Sequence, residues 1–216
     1  MKKNKIFDIL WIAAVVAFVF FLTTKFFIKF TGSHTYLSAF VKFALLAPLG
    51  ELLVIRLSKK EWKLPTGFIF KVLIWGVFGM GIGLAFKLFN TGVSGLLVDN
   101  ATLAGFKGFV LALLTSSFMN LTFGPVMMGT HKVTDKLVDL KCSCKDKVTI
   151  SQAVKEVDWY GFITFVVFKT IPFFWIPAHT IVFLLPPEFR LVVAALLSIA
   201  LGVLLTFAGK KTKKTK

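Results

Sequence analysis

Gly124-Pro125-Val126-Met127-Met128-Gly129-Thr130-His131-Lys132-Val133-Thr134-Asp135-Lys136 is where an apolar chain turns polar. Upstream the sequence is almost unbroken hydrophobic residues; downstream comes its longest polar stretch. In water this would be the end of an amphipathic helix. In a bilayer it is a span that a Gly-Pro step can kink. It delivers His131 and Asp135, at helical i and i+4 spacing and therefore on one face, to the membrane interface.

The bulk of the chain favours the bilayer. Of 216 residues 56% are hydrophobic and 26 are Phe, and the mean hydropathy is +0.82. Soluble domains hold about 45–50% apolar residues, and here the excess comes in blocks. A block of about 18 or more apolar residues crosses a ~30 Å hydrocarbon core. Six can be drawn, approximately Phe7–Phe30, Tyr36–Leu57, Gly67–Phe89, Leu103–Gly129, Tyr160–Leu185 and Leu191–Ala208. They are too long for barrel strands and lack alternating polarity, so helices are expected. The predicted fold is an all-α polytopic membrane protein, a single transmembrane domain over residues 1–216.

The net charge of +16 suggests nucleic acid until its location is considered. Lysines gather at Lys2-Lys3-Asn4-Lys5, Lys59 to Lys63, Lys141 to Lys155 and Lys210 to Lys216, each cluster flanking an apolar block. Charge so placed orients spans by the positive-inside bias and attracts anionic headgroups. With both termini cytosolic, every strongly basic loop falls inside. The expected partners are the bilayer, its anionic lipids and a small-molecule solute, with a homo-oligomer left open and nucleic acid excluded. The first apolar run continues into Phe-Leu-Thr-Thr-Lys with no small-x-small cleavage site, so it is expected to be retained as a span. Lys-rich composition points to a bacterial cytoplasmic membrane, or an organellar one in a eukaryote.

Smaller signals fit this picture. Trp62, Trp159, Tyr160 and Tyr36 fall near span ends, as interfacial aromatics do. Gly79 and Gly83 put small residues at i and i+4 in the third span, which suits close helix packing. Asn90 through Asn100 reads as a turn-rich outer connector. Gly67-Phe68-Ile69 and Gly161-Phe162-Ile163 each open an outward span after a basic, Trp-bearing loop, an echo that would fit a repeat-built transporter. Cys142 and Cys144 are wrongly spaced for a structural zinc or thioredoxin-type site and read as reduced loop thiols. No nucleophile–base–orienter set and no phosphate loop is present. Neither an enzyme, a cofactor nor a metal site is expected.

Polar residues inside spans cost roughly 2.5–3.5 kcal/mol when charged, and they face the bundle interior or a watery cavity. At ~1.5 Å per residue, Glu51, His131 and Asp135 lie towards the inner mouth, and Lys42, Asn120 and Lys169 near mid-depth. His179, Glu188 and Arg190 lie at the outer mouth. Lysines along a path favour anions. The plainer alternative pairs Glu51 with a lysine of a neighbouring span and lets Lys42 snorkel to water. Pro172, Pro177, Pro186 and Pro187 are expected to interrupt or end the fifth span, and Pro125 the fourth.

Three elements together carry a resemblance. Leu49-Gly50-Glu51-Leu52 closes a span. Gly124-Pro125-Val126 leads through Gly129 to Lys132-Val133-x-Asp135. Trp175-Ile176-Pro177-Ala178 is followed by Pro186 and Arg190. In this order they resemble the Mpv-type family of small mitochondrial and peroxisomal membrane proteins. Positions Glu51, Gly124, Pro125, Lys132, Asp135, Trp175, Pro186 and Arg190 match it; Lys42, Asn120, His131, Lys169 and His179 come from depth alone. Where that family has aromatic residues, this chain has Thr130-His131. The resemblance implies a small channel or pore passing metabolites or ions. The expected function is therefore a channel or transporter-like protein for small solutes, anions favoured. The alternatives are a membrane scaffold binding anionic lipid or a partner through its basic loops and, less favoured, a lipid-active enzyme using His131 or Asp135.

Overall fold

The computed structural model describes residues 2–97, 107–143 and 147–212, with side chains described over 5–97, 108–143 and 147–204. All regular structure there is helical: α1 (Lys2–Leu22), α2 (Lys25–Ser33), α3 (Thr35–Lys59), α4 (Phe68–Leu97), α5 (Lys107–Ser143), α6 (Ile150–Lys155), α7 (Trp159–Gly161), a π-helical stretch (Phe162–Trp175), α8 (Ile176–Leu184) and α9 (Pro187–Thr212). Six helical segments are long and apolar enough to cross a membrane. The chain is an all-α integral membrane protein.

Two compact units form, Met1–Met80 with Leu191–Lys216, and Gly81–Arg190. In the first, α3 packs closely against α4 at two glycines of α4. A Cβ on Gly76 would collide with the Phe40 ring, and one on Gly79 would lie 2.6 Å from Phe43 Cβ and 2.7 Å from the Ala39 carbonyl oxygen. Gly76 and Gly79 thus both make close approaches to α3, one of them at a glycine of the expected small-residue pair. The same device seats α9 on α3, where Gly50 faces Ile199 and Gly202 faces Val54. Helices approaching this closely gain dispersion contacts that lipid cannot match. In the second unit α5 runs antiparallel to the fifth span. A Cβ on its Gly124 would lie 3.6 Å from Ile171, and one on its Gly129 would lie 3.6 Å from Phe162, which comes earlier in that span.

Several boundaries differ from the sequence reading. The first apolar run is not one span, because Thr23 and Thr24 end α1 by donating their hydroxyls to the carbonyls of Phe20 at 2.8 Å and Phe21 at 2.7 Å. Thr24 then caps α2 by accepting from Phe27 N. Asn90 to Leu97 is helix, not connector. The rest of that connector, the beginning of the fourth span, Cys144 and residues 213–216 lie outside the described residues. Pro125 does not interrupt α5, which runs through it for 37 residues. At ~1.5 Å per residue that exceeds a ~30 Å core, so the stretch read as the start of a polar loop is the helix's own continuation. Pro172 and Pro177 likewise stay within helix. The turns of Phe162–Trp175 are widened, with Ile176 N bonding back to Ile171 O. This i→i+5 winding is rare beyond a single turn. The two Gly-Phe-Ile echoes therefore begin differently wound helices. Only Pro186 and Pro187 end the fifth span.

Candidate functional site

The polar residues expected to matter divide between the units. In the first, Lys42 sits on α3 and is 1% exposed. Its Nζ lies 3.4 Å from Thr31 Oγ1 and 5.4 Å from the centre of the Phe27 ring, both contributed by α2. Among the described residues no carboxylate lies within ion-pairing distance of it. Ser38, one turn before Lys42 on the same face, is also buried, and its hydroxyl donates to Thr35 O at 2.8 Å.

Glu51, nine residues along α3 and so on its opposite face, meets a cation that the sequence reading missed. Lys71 of α4, 4% exposed, places its Nζ 3.5 Å from Glu51 Oε1. The expectation that Glu51 neutralises a neighbouring span's lysine thus has its partner. Depth arithmetic could have found Lys71, since Glu51 near the inner end of the second span and Lys71 near the inner end of the third fall at similar heights. A second unforeseen cluster lies nearby in sequence. Asp8 of α1 accepts two hydrogen bonds from Arg56, Nε at 2.7 Å and Nη2 at 2.9 Å, and a third from Trp62 Nε1 at 2.9 Å. Trp11 donates to Leu49 O at 3.0 Å, and its ring lies 6.4 Å from that of Trp62. Trp62 is held as a donor here, beyond its expected interfacial role.

The second unit brings together Asn120, Trp175 and His179. Asn120 Oδ1 lies 3.0 Å from His179 Nδ1, and Asn120 Nδ2 donates to Ser116 O at 2.8 Å and to Ser116 Oγ at 3.2 Å. Ser116 donates to Ile176 O at 2.7 Å, and Thr180 does the same at 2.7 Å. The Trp175 ring stacks on His179 at 5.1 Å, and Phe86 meets the imidazole edge-on at 5.6 Å. Trp175 Nε1 and Thr115 Oγ1 are buried without a hydrogen-bond partner among the described residues. The sequence reading placed Asn120 at mid-depth and His179 at the outer mouth. The structure puts them level, because α5 continues far beyond this height while α8 ends within two turns of it.

Arg190 performs a local task in the same unit. Its Nε donates to Leu185 O at 2.9 Å, closing the end of α8. Its Nη1 reaches Asn90 Oδ1 at 3.4 Å, and its guanidinium lies 5.6 Å from the centre of the Phe183 ring. His131, Lys132 and Asp135 are half-buried along the polar continuation of α5. Lys169 is exposed on the π-helical stretch. Gly124 and Gly129 are buried against the fifth span. The described residues hold no cluster of three metal-ligating side chains.

Comparison with family models, with curated proteins and with solved structures gave no match to this chain.

Proposed function

We propose that this protein is a channel or transporter-like conductor of small solutes, with anions favoured. One observation carries the reading: Lys42, Asn120 and His179 are buried inside helices otherwise apolar enough to cross a membrane. Polar and ionisable side chains are costly there and tend to mark solute paths. A buried ammonium that faces no carboxylate among the described residues gives the interior a positive bias, as cationic rings do in anion pores. The resemblance to the Mpv-type family points the same way. The proposed orientation keeps both termini and the basic loops on the cytosolic side, in a bacterial cytoplasmic membrane.

A second reading has its own support. The polar end of α5 carries Lys132, Lys136 and Lys141 and is braced by the Lys136–Glu156 contact at 3.8 Å. A lysine-rich projection of this kind suits a scaffold binding anionic lipid.

Purified protein in liposomes separates the two. Conduction predicts anion flux above that of empty vesicles. The scaffold predicts no flux across anions, cations and neutral solutes, and salt-sensitive binding to anionic vesicles.

A further inference from the structure

We propose that Lys42 Nζ, Thr31 Oγ1 and the Phe27 ring form a binding site for one small, weakly hydrated monovalent anion, covered by α2. The proposal rests on the conduction reading and names the class of solute.

Among the described residues two other packed cations meet carboxylates, while Arg190 meets the Leu185 and Asn90 oxygens. Lys71 has Glu51 at 3.5 Å, and Arg56 has Asp8 at 2.7 Å. Lys42 is more buried than either, yet among the described residues it meets a hydroxyl at 3.4 Å and a ring face. An ammonium has three donors, and among the described residues one long bond leaves two of them without an acceptor. Removing such a charge from water is expensive unless an opposite charge accompanies it. A bound anion supplies that charge and the missing acceptors.

The surroundings narrow the class. A single ammonium balances a single negative charge. One hydroxyl and a phenyl ring offer a phosphate or sulfate too few donors to replace its water. An apolar wall favours ions that give up hydration easily, such as iodide or nitrate, over strongly hydrated ones. At 1% exposure Lys42 is too enclosed for a lipid headgroup.

The cover is short and lightly held. α2 has nine residues, is interrupted at Thr23–Thr24 and His34, and buries only Phe27 among its side chains. Rings step along it, Phe21 to Phe27 at 5.1 Å, Phe27 to Phe30 at 5.6 Å and Phe30 to His34 at 5.1 Å. Lifting α2 gives up the Thr31 bond and the Phe27 contact, the two groups with which α2 covers the Lys42 ammonium.

The test is the melting temperature of the full-length protein in detergent. Sodium nitrate, iodide, chloride, sulfate and gluconate are titrated at constant ionic strength. Binding to the folded state raises the midpoint saturably. The expected result is a rise with nitrate and iodide relative to gluconate, smaller with chloride and absent with sulfate. It disappears in Lys42→Met and weakens in Thr31→Val. Equal responses in wild type and Lys42→Met overturn the site, as does a wild type with no anion-dependent rise. If Lys42→Met does not fold, a Thr31→Val response identical to wild type overturns it. Flux measured on the same preparation separates the two ideas. Anion-dependent melting without flux keeps the site and removes conduction; flux without anion-dependent melting does the reverse.

Discussion

Arg56 of α3 holds Asp8 of α1 through both carboxylate oxygens, at 2.7 and 2.9 Å. Matched forks of this kind are among the stronger charge-assisted bonds. They matter here because α1 is exposed along most of its length, with Ile6, Phe7, Ile9, Leu10, Ile12, Val16 and Phe20 all on the surface. Together with Trp11 to Leu49 O and Trp62 to Asp8, the fork fastens the first helix to the third. Asp8→Asn and Arg56→Gln should each speed amide hydrogen exchange in α1 far more than in α3. The double variant should do little more than either alone, since both remove one interaction. Additive effects would show that the fork is not what holds α1.

The glycine contacts give an expectation of opposite sign at two positions of one helix. Gly79→Ala brings a methyl within 2.6 Å of Phe43 Cβ and 2.7 Å of the Ala39 carbonyl. Backbone and a Cβ cannot step aside, so a loss of about 1–3 kcal/mol is expected, as for overpacking. Gly92 has nothing within 4 Å and lies inside α4. Gly92→Ala should gain roughly 0.5–1 kcal/mol from helix propensity alone. Denaturation of both variants in one detergent checks the pair, and a stabilised Gly79→Ala would contradict the close approach.

The Asn120–His179 contact should behave as a buried hydrogen-bonded unit. Asn120→Leu leaves His179 Nδ1 without its partner, and His179→Phe leaves Asn120 Oδ1 unsatisfied. Each should cost about 1–3 kcal/mol. Replacing both with apolar side chains removes the unpaired groups together, so the double variant should be more stable than the two losses added. Stability measured for the three variants and wild type in one detergent decides it. Strict additivity would mean that the two side chains do not interact.

Much of the architecture was legible in the sequence because apolar length is a strong signal. Six helices and the polar exit after Gly129 follow from composition along the chain. Where the reading failed, local hydrogen bonding decided. Thr23 and Thr24 look harmless in an apolar run, yet two hydroxyls turned back on carbonyls end a helix there. Pro125 looks like a break, yet helix continues past it. At the candidate sites, depth found Lys42, Asn120 and His179 but treated Lys42 and Lys169 alike, because depth says nothing about which face of a helix is covered. It also missed Lys71, Asp8 and Arg56, which stand near span ends and read as ordinary interfacial charges until their partners are seen.

That last distinction yields the most direct functional expectation. Lys42 is enclosed by α2 and α3, whereas Lys169 is exposed on the π-helical stretch. A charge biases permeation when it stands where the ion passes, and an exposed side chain stands off a path lined by buried ones. In proteoliposomes under a salt gradient, Lys42→Met should move the reversal potential towards the cation equilibrium value. Lys169→Ala should leave it within error of wild type. Glu51→Gln removes a negative charge facing Lys71 and should shift selectivity towards anions. A reversal potential that follows Lys169 and ignores Lys42 would place any conducting path along the outer face of the fifth span, away from the buried ammonium.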